Sequence, residues 1–170
     1  MAEIALTSEV GVDYTNLRDL LAAQKWSEAD FETLHMMLSV SKMPDGDYVG
    51  DMSAFPCSDL QTIDQLWVKY SNGHFGFSVQ KQIWYRLGGQ LDIPNLDFDT
   101  QRKFFLDIFS PDVGWKKGER YLNWEDLIYS LDVPAGQLPA AWVNSDTVVA
   151  ANGQIYAAWV RLKNCNAKSN

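Results

Sequence analysis

Residues 55–80 read FPCSDLQTIDQLWVKYSNGHFGFSVQ, and their punctuation decides the fold. Ser58-Asp59-Leu60-Gln61 has the form of a capping box, a hydroxyl at the helix start and a glutamine three residues on. Leu60, Ile63, Trp67 and Tyr70 then fall on one stripe of a helix. Ser71-Asn72-Gly73 stops it with a residue suited to positive φ. After that stop come Phe75 and Phe77, and a second helix over 78–87 turns Val79, Ile83, Trp84 and Leu87 inward until Gly88-Gly89 ends it. The run therefore predicts two helices joined at a glycine elbow, with an aromatic pair on its inner side.

Working outward, Asp13 is placed to cap a helix over 14–24, with Leu17, Leu20 and Leu21 on one face. Ser27 is placed to cap a second over 27–39, with Phe31, Leu34 and Leu38 inward, and the turn at Lys25-Trp26 makes the pair a helical hairpin. Pro44, Gly46, Gly50 and Pro56 mark a loop over 40–56, and Pro94 another over 90–97. Asp99 or Thr100 caps a helix carrying Phe104, Phe105 and Phe109, stopped by Pro111. From 113 to 139 aromatics mix with charges and turn formers, with one short helix expected over 123–130 behind Asn123. In the tail, Asn152-Gly153 between Thr147-Val148-Val149 and Ile155-Tyr156 favours a small C-terminal β-hairpin slightly over a helix through AAWVRL. The class is all-α, a compact bundle of short helices.

With 170 residues the chain suits one domain, and a chain of that size buries roughly 70% of its unfolded surface. A net charge of -8 argues against nucleic acid and against an anionic membrane surface. No apolar run approaches the ~20 residues of a transmembrane span. The N-terminus lacks a basic start and an apolar signal core, so the expected compartment is the cytoplasm or a chloroplast stroma equivalent, with peripheral membrane association left open. Cys57 and Cys165 form no C-x-x-C and are expected to be reduced. The protein is read as a monomer.

Motifs for catalysis or metal binding are missing. Neither G-x-x-x-x-G-K-[ST] nor G-x-G-x-x-G occurs, and His35 and His74 are too far apart in sequence for a metal cluster. His74, at a tight turn, reads as a surface histidine before it reads as an axial ligand to a chelated metal. Asp59 and Asp64, five apart on the helix, read as capping and solvent-facing charge. The expected role is accordingly non-enzymatic.

Two groups could bind a ligand. Val68 lies about 100° from the Trp67 side of its helix, and the elbow lets Phe75 or Phe77 approach it, although all three could be plain core. Trp115, Tyr121 and Trp124 interleave with Lys116, Lys117 and Arg120 in a glycine-containing loop. Aromatics beside cations suit a flat apolar ligand carrying carboxylates; a loop pinned by aromatic anchors, with its lysines in water, fits equally well.

Three blocks in order resemble one family: GVDYTNLRDLLAAQKWSEADFETL, the 55–80 run extended to Trp84, and VGWKKGERYLNWEDLIYSLDVPAGQLP. They are similar to the genomes-uncoupled (fourth locus) tetrapyrrole-binding regulators of magnesium chelatase. The resemblance implies a domain over residues 1–139, with core 10–139, shaped as a cupped hand around a ligand cavity, and a divergent C-terminal extension, 140–170, packed on it. It implies non-covalent binding of a porphyrin such as protoporphyrin IX or Mg-protoporphyrin, or of a linear bilin. A regulatory or carrier role in chlorophyll or bilin metabolism follows, with the large subunit of magnesium chelatase as partner. Val68 and Phe77 fall on palm positions and Trp115–Trp124 on the ligand loop, where Tyr121 replaces the family's tryptophan. After Gly136-Gln137-Leu138-Pro139 the family's paired arginines are absent, so Lys116, Lys117, Arg120 or Arg161 would have to meet ligand carboxylates. A ligand-free helical interaction module is the alternative.

Overall fold

The computed structural model describes residues 3–42, 51–91, 97–141 and 148–167. The stretches around Pro44, Gly46 and Gly50, and around Pro94, lie outside the described residues. The described residues are mostly helical, in the order α1 (Thr15–Ala22), α2 (Trp26–Val40), α3 (Cys57–Tyr70), α4 (Phe77–Arg86), α5 (Phe98–Phe104) and α6 (Val148–Ala167). A two-residue hairpin, β1 (Lys116–Lys117) and β2 (Arg120–Tyr121), is paired antiparallel with Lys116 opposite Tyr121.

The helical hairpin forms as expected, with local differences. Asp13 accepts from the Thr15 amide at 2.9 Å, so it steadies the entry to α1 from one residue before the cap position. Gln24, at φ 56, makes the turn, and α2 starts at Trp26 without the Ser27 cap. The inward stripe of α2 is only partly the one expected. Leu38 is buried and Leu34 packs on the core, but Phe31 is 40% exposed, while Trp26, Ala29, Asp30, Thr33, Met36, Met37 and Val40 are also buried. The true stripe contains small and polar residues, which weigh little in an apolar pattern.

Asp59 and Asp64 correct the surface reading, since both are buried. Asp59 accepts from the Ser8 hydroxyl at 2.5 Å, the Glu9 amide at 2.9 Å and the Tyr14 hydroxyl at 2.8 Å, tying the N-terminal segment to α3. Burial and this neighbouring carboxylate push the Tyr14 phenol well above its ordinary pKa. No capping box forms at Ser58; α3 begins at Cys57 behind Pro56. Asp64 caps the following helix instead, accepting from the Ser78 amide of α4 at 2.8 Å. Burial raises its pKa, against the pull of that bond.

Asp97, two residues before the expected Asp99, caps α5 through the Thr100 amide at 3.1 Å. Pro111 does not end the helix: residues 105–109 widen into a π-turn, and helical turns continue to Asp112. Proline has no amide to continue the α ladder, and the Ser110 hydroxyl bonds the Phe105 carbonyl at 2.9 Å across the widened turn. The turn faces Phe105 and Phe109 into an aromatic cluster with Trp84, Trp115 and Trp159.

Three further expectations change. The helix over 123–130 reduces to one 3-10 turn, Trp124–Asp126, held by the expected Asn123 cap. The β-hairpin lies at 116–121, whereas 148–167 is one helix running through Asn152-Gly153. Its buried residues, Ile155, Ala158, Trp159, Leu162 and Cys165, recur at helical spacing, and their packing outweighs a two-residue turn signal. Finally, Cys57 and Cys165 are joined in a disulfide across 108 residues rather than reduced. The last turns of α6 lie against the start of α3, where Arg161 Nε also donates to the Phe55 carbonyl at 2.7 Å. A pair so far apart in sequence leaves no local cue. Among the described residues no helix is long and apolar enough to cross a membrane.

Candidate functional site

The elbow is built on a close approach. At Gly76, φ is 133 and ψ is 160, backbone that is essentially glycine's alone. A Cβ there would meet Val68 Cγ2 at 2.8 Å and Asp64 Oδ1 at 3.0 Å. Glycine therefore lets α4 start directly against α3, within reach of its Asp64 cap. Phe75 and Phe77 are fully buried by the fold, and Val68 is half-buried. Phe75 stands edge-on to Trp26 and Trp67, so its ring completes the packing of α2 on α3.

A strap, residues 133–140, ties this elbow to the hairpin loop. The Gly136 amide donates to the His74 carbonyl at 2.9 Å, and the Gly76 amide to the Leu138 carbonyl at 3.1 Å. The buried Gln80 side chain donates to the carbonyls of Gly136 and Pro139, each at 3.0 Å. His74 Nε2 lies 2.7 Å from the Val133 carbonyl, which commits the imidazole to the strap. The peptide between Leu138 and Pro139 is cis. At the strap's far end the Ala140 amide donates to Asp30 Oδ1 of α2 at 2.7 Å. Burial pushes the Asp30 carboxyl up to about 7 despite that bond.

The hairpin loop has an inner and an outer side. Trp115 is its anchor: the ring is buried against Phe105 and Phe109, and Nε1 donates to the Gln137 carbonyl of the strap at 2.8 Å. Tyr121 is half-buried, its hydroxyl donating to the Leu106 carbonyl at 3.3 Å. Lys116 Nζ sits 4.8 Å from the Tyr121 ring centroid and 3.5 Å from Asp107. Trp124, also half-buried, packs edge-on against Phe31 of α2 with centroids 4.6 Å apart. Lys117 and Arg120 are exposed, Arg120 pairing with Asp126 at 3.2 Å. The loop is thus clamped between α2 and the π-turn, presenting aromatics and cations outward. The nine candidate residues fall into two groups, and the strap is hydrogen-bonded to both.

Sequence reasoning missed the polar residues that make the strap work: Asp30, Gln80 and Gln137. For Asp30 and Gln80 the only signal was polarity at helix positions otherwise suited to core; Gln137 sits in irregular backbone and carries no such signal. Near the loop, Asp99, Arg102, Lys103, Leu106 and Asp107 line a shallow cleft of about 190 Å³. That is smaller than the ~300–1,000 Å³ usual for a small-molecule site. Among the described residues no group of three potential ligands could hold a metal ion.

This all-helical scaffold, with a tied elbow and a clamped aromatic-cationic loop, defines a class of small helical domains. A family model described as GUN4-like matches residues 7–154, and the chain belongs to that family. It is 32% identical over 139 residues to a Ycf53-like protein of Synechocystis, covering 79% of this chain and 53% of the relative. It is 34% identical over 135 residues to the chloroplastic tetrapyrrole-binding protein of Arabidopsis thaliana, covering 77% of this chain and 49% of the relative. The chain thus spans about half the length of these relatives. Among solved structures, GUN4 from Chlamydomonas reinhardtii superposes with a TM-score of 0.66 at 29% identity, over 93% of this chain and 94% of that one. The ligand-free Arabidopsis thaliana GUN4 shares the fold, with a TM-score of 0.57 at 24% identity over 90% and 95% of the two chains.

Proposed function

We propose that this protein binds a tetrapyrrole non-covalently on the outer face of the hairpin loop and serves as a regulatory or carrier protein, without catalysing a reaction. The observation that carries the reading is the two-sided loop: Trp115 is sunk in the core and Lys116 is largely covered between Asp107 and the Tyr121 ring, leaving Tyr121 and Trp124 half-exposed beside the exposed Lys117 and Arg120. A flat conjugated ring stacks on such aromatics, and its carboxylates meet the cations. The name of the Arabidopsis relative points the same way. Val68 at the elbow is the proposed floor of the site, while Phe75, Phe77 and Trp115 act from beneath by fixing the backbone.

Non-covalent binding is supported by the disulfide, which takes up both cysteines and leaves no thiol for a link to a bilin. A binding role is supported by the commitments of the groups suited to acid–base chemistry. His74 is held by Val133, Asp30 by Ala140 and Asp59 by Tyr14.

Titration with protoporphyrin IX, Mg-protoporphyrin and biliverdin, followed by Soret shift and tryptophan quenching, tests the reading. Saturable binding of at least one pigment is expected; binding of none would leave the ligand-free interaction module. The large subunit of magnesium chelatase is the proposed partner, to be tested by co-purification with and without pigment.

A further inference from the structure

The cleft beside the loop contains an unmet donor. Arg102, on α5, has its Nε buried without a hydrogen-bond partner, and none of its guanidinium nitrogens forms an ion pair among the described residues. A guanidinium keeps its charge at any ordinary pH, and native proteins rarely leave its desolvated donors unpaired. The side chain lines the cleft, so a small rotation of this otherwise uncommitted guanidinium brings its donors to an acceptor placed there.

The surroundings select an anion. Lys103, exposed, lines the same cleft. Of the two carboxylates there, Asp107 is already engaged by Lys116 at 3.5 Å, so Arg102 and Lys103 face Asp99 alone and the balance at the mouth is positive. The volume of about 190 Å³ suits a carboxylate arm rather than a macrocycle. Phe98, four residues before Arg102 on the same helical face, is 57% exposed and offers an apolar shelf beside the charge. Tyr121 reaches Leu106, a cleft-lining residue, so the cleft adjoins the outer face of the hairpin. The chain has no arginine between Pro139 and Arg161, and Arg161, on α6, is committed to the Phe55 carbonyl just before α3.

We infer that this cleft is a carboxylate subsite: Arg102, assisted by Lys103, receives a propionate arm of a tetrapyrrole whose ring lies on the hairpin. The inference rests on the proposed pigment binding and names the group that orients the pigment.

The test compares protoporphyrin IX with its dimethyl ester, which carries the same ring without the charges. The unmodified protein should bind the diacid roughly 10-fold more tightly than the ester. Arg102→Gln should cut the diacid preference at least about 3-fold, the hairpin cations keeping the remainder, and leave ester binding unchanged. Because Arg102 is half-buried, Lys103→Gln at an exposed position gives a second reading, with the preference falling about 2- to 3-fold. Lys25→Gln, away from the cleft, should preserve the preference. Equal diacid preference in the unmodified protein and both cleft variants overturns the subsite while leaving pigment binding intact. Failure of the unmodified protein to bind either compound overturns pigment binding, and the subsite with it.

Discussion

Replacing Gly76 by alanine tests whether the elbow is as tightly built as its distances indicate. The backbone there, at φ 133 and ψ 160, costs a residue with a Cβ about 1–3 kcal/mol. The new methyl would also lie 2.8 Å from Val68 Cγ2 and 3.0 Å from Asp64 Oδ1. Val68 is β-branched on a helix and yields little. Displacing Asp64 would break its cap on Ser78, worth about 0.5–2 kcal/mol. Gly76→Ala should therefore destabilise the protein by roughly 2–5 kcal/mol. Gly73 supplies the control from the same elbow: it has positive φ, 79, but nothing within 4 Å of a built Cβ. Gly73→Ala should lose only the backbone preference, about 1–2 kcal/mol. Urea unfolding reads both as shifts in midpoint at constant slope, about 1 M or more for Gly76→Ala. Adding Val68→Ala to Gly76→Ala should recover at least ~0.5 kcal/mol relative to the sum of the single changes. If the two glycine variants unfold alike, or if the pair is strictly additive, the close approach does not hold the elbow.

Two other perturbations follow from the buried polar groups and the disulfide. Asp30 has a folded pKa of about 7 against about 3.9 unfolded, so the native state holds its proton more tightly; stability falls as pH rises from about 4 to 7 and levels off above, by up to ~4 kcal/mol. Asp30→Asn should flatten that slope and raise the melting temperature at pH 8; an unchanged slope would mean the carboxyl titrates normally. Reducing Cys57–Cys165, which spans 108 residues, should lower unfolding free energy by up to about 5 kcal/mol, seen as a lower urea midpoint in dithiothreitol. No shift on verified reduction would refute that linkage.

The elbow was legible because glycine, proline and aromatic punctuation acts locally: Asn72-Gly73 at positive φ and the α3 and α4 spans lie close to the expected ones. Readings failed where distant residues decide. Asp59 looked like surface charge because its donors, Ser8, Glu9 and Tyr14, come from some 50 residues earlier. Asp64 caps a helix other than its own. Asn152-Gly153 signals a turn, yet Trp159 and Leu162 bury only if the chain stays helical. Within the site, aromatic content marked the loop, but only the fold separates the buried Trp115 from the outward Tyr121 and Trp124. The strap is built from backbone carbonyls accepting from Gln80 and Trp115, a pattern without a sequence signature.

Amide hydrogen exchange, measured with and without saturating protoporphyrin IX, bears most directly on the hairpin loop as the pigment's seat. Exchange should slow across residues 115–124 while the amides of α6 remain as they were. Saturable pigment binding with unchanged exchange in 115–124 would contradict the account and move the ligand elsewhere on the protein.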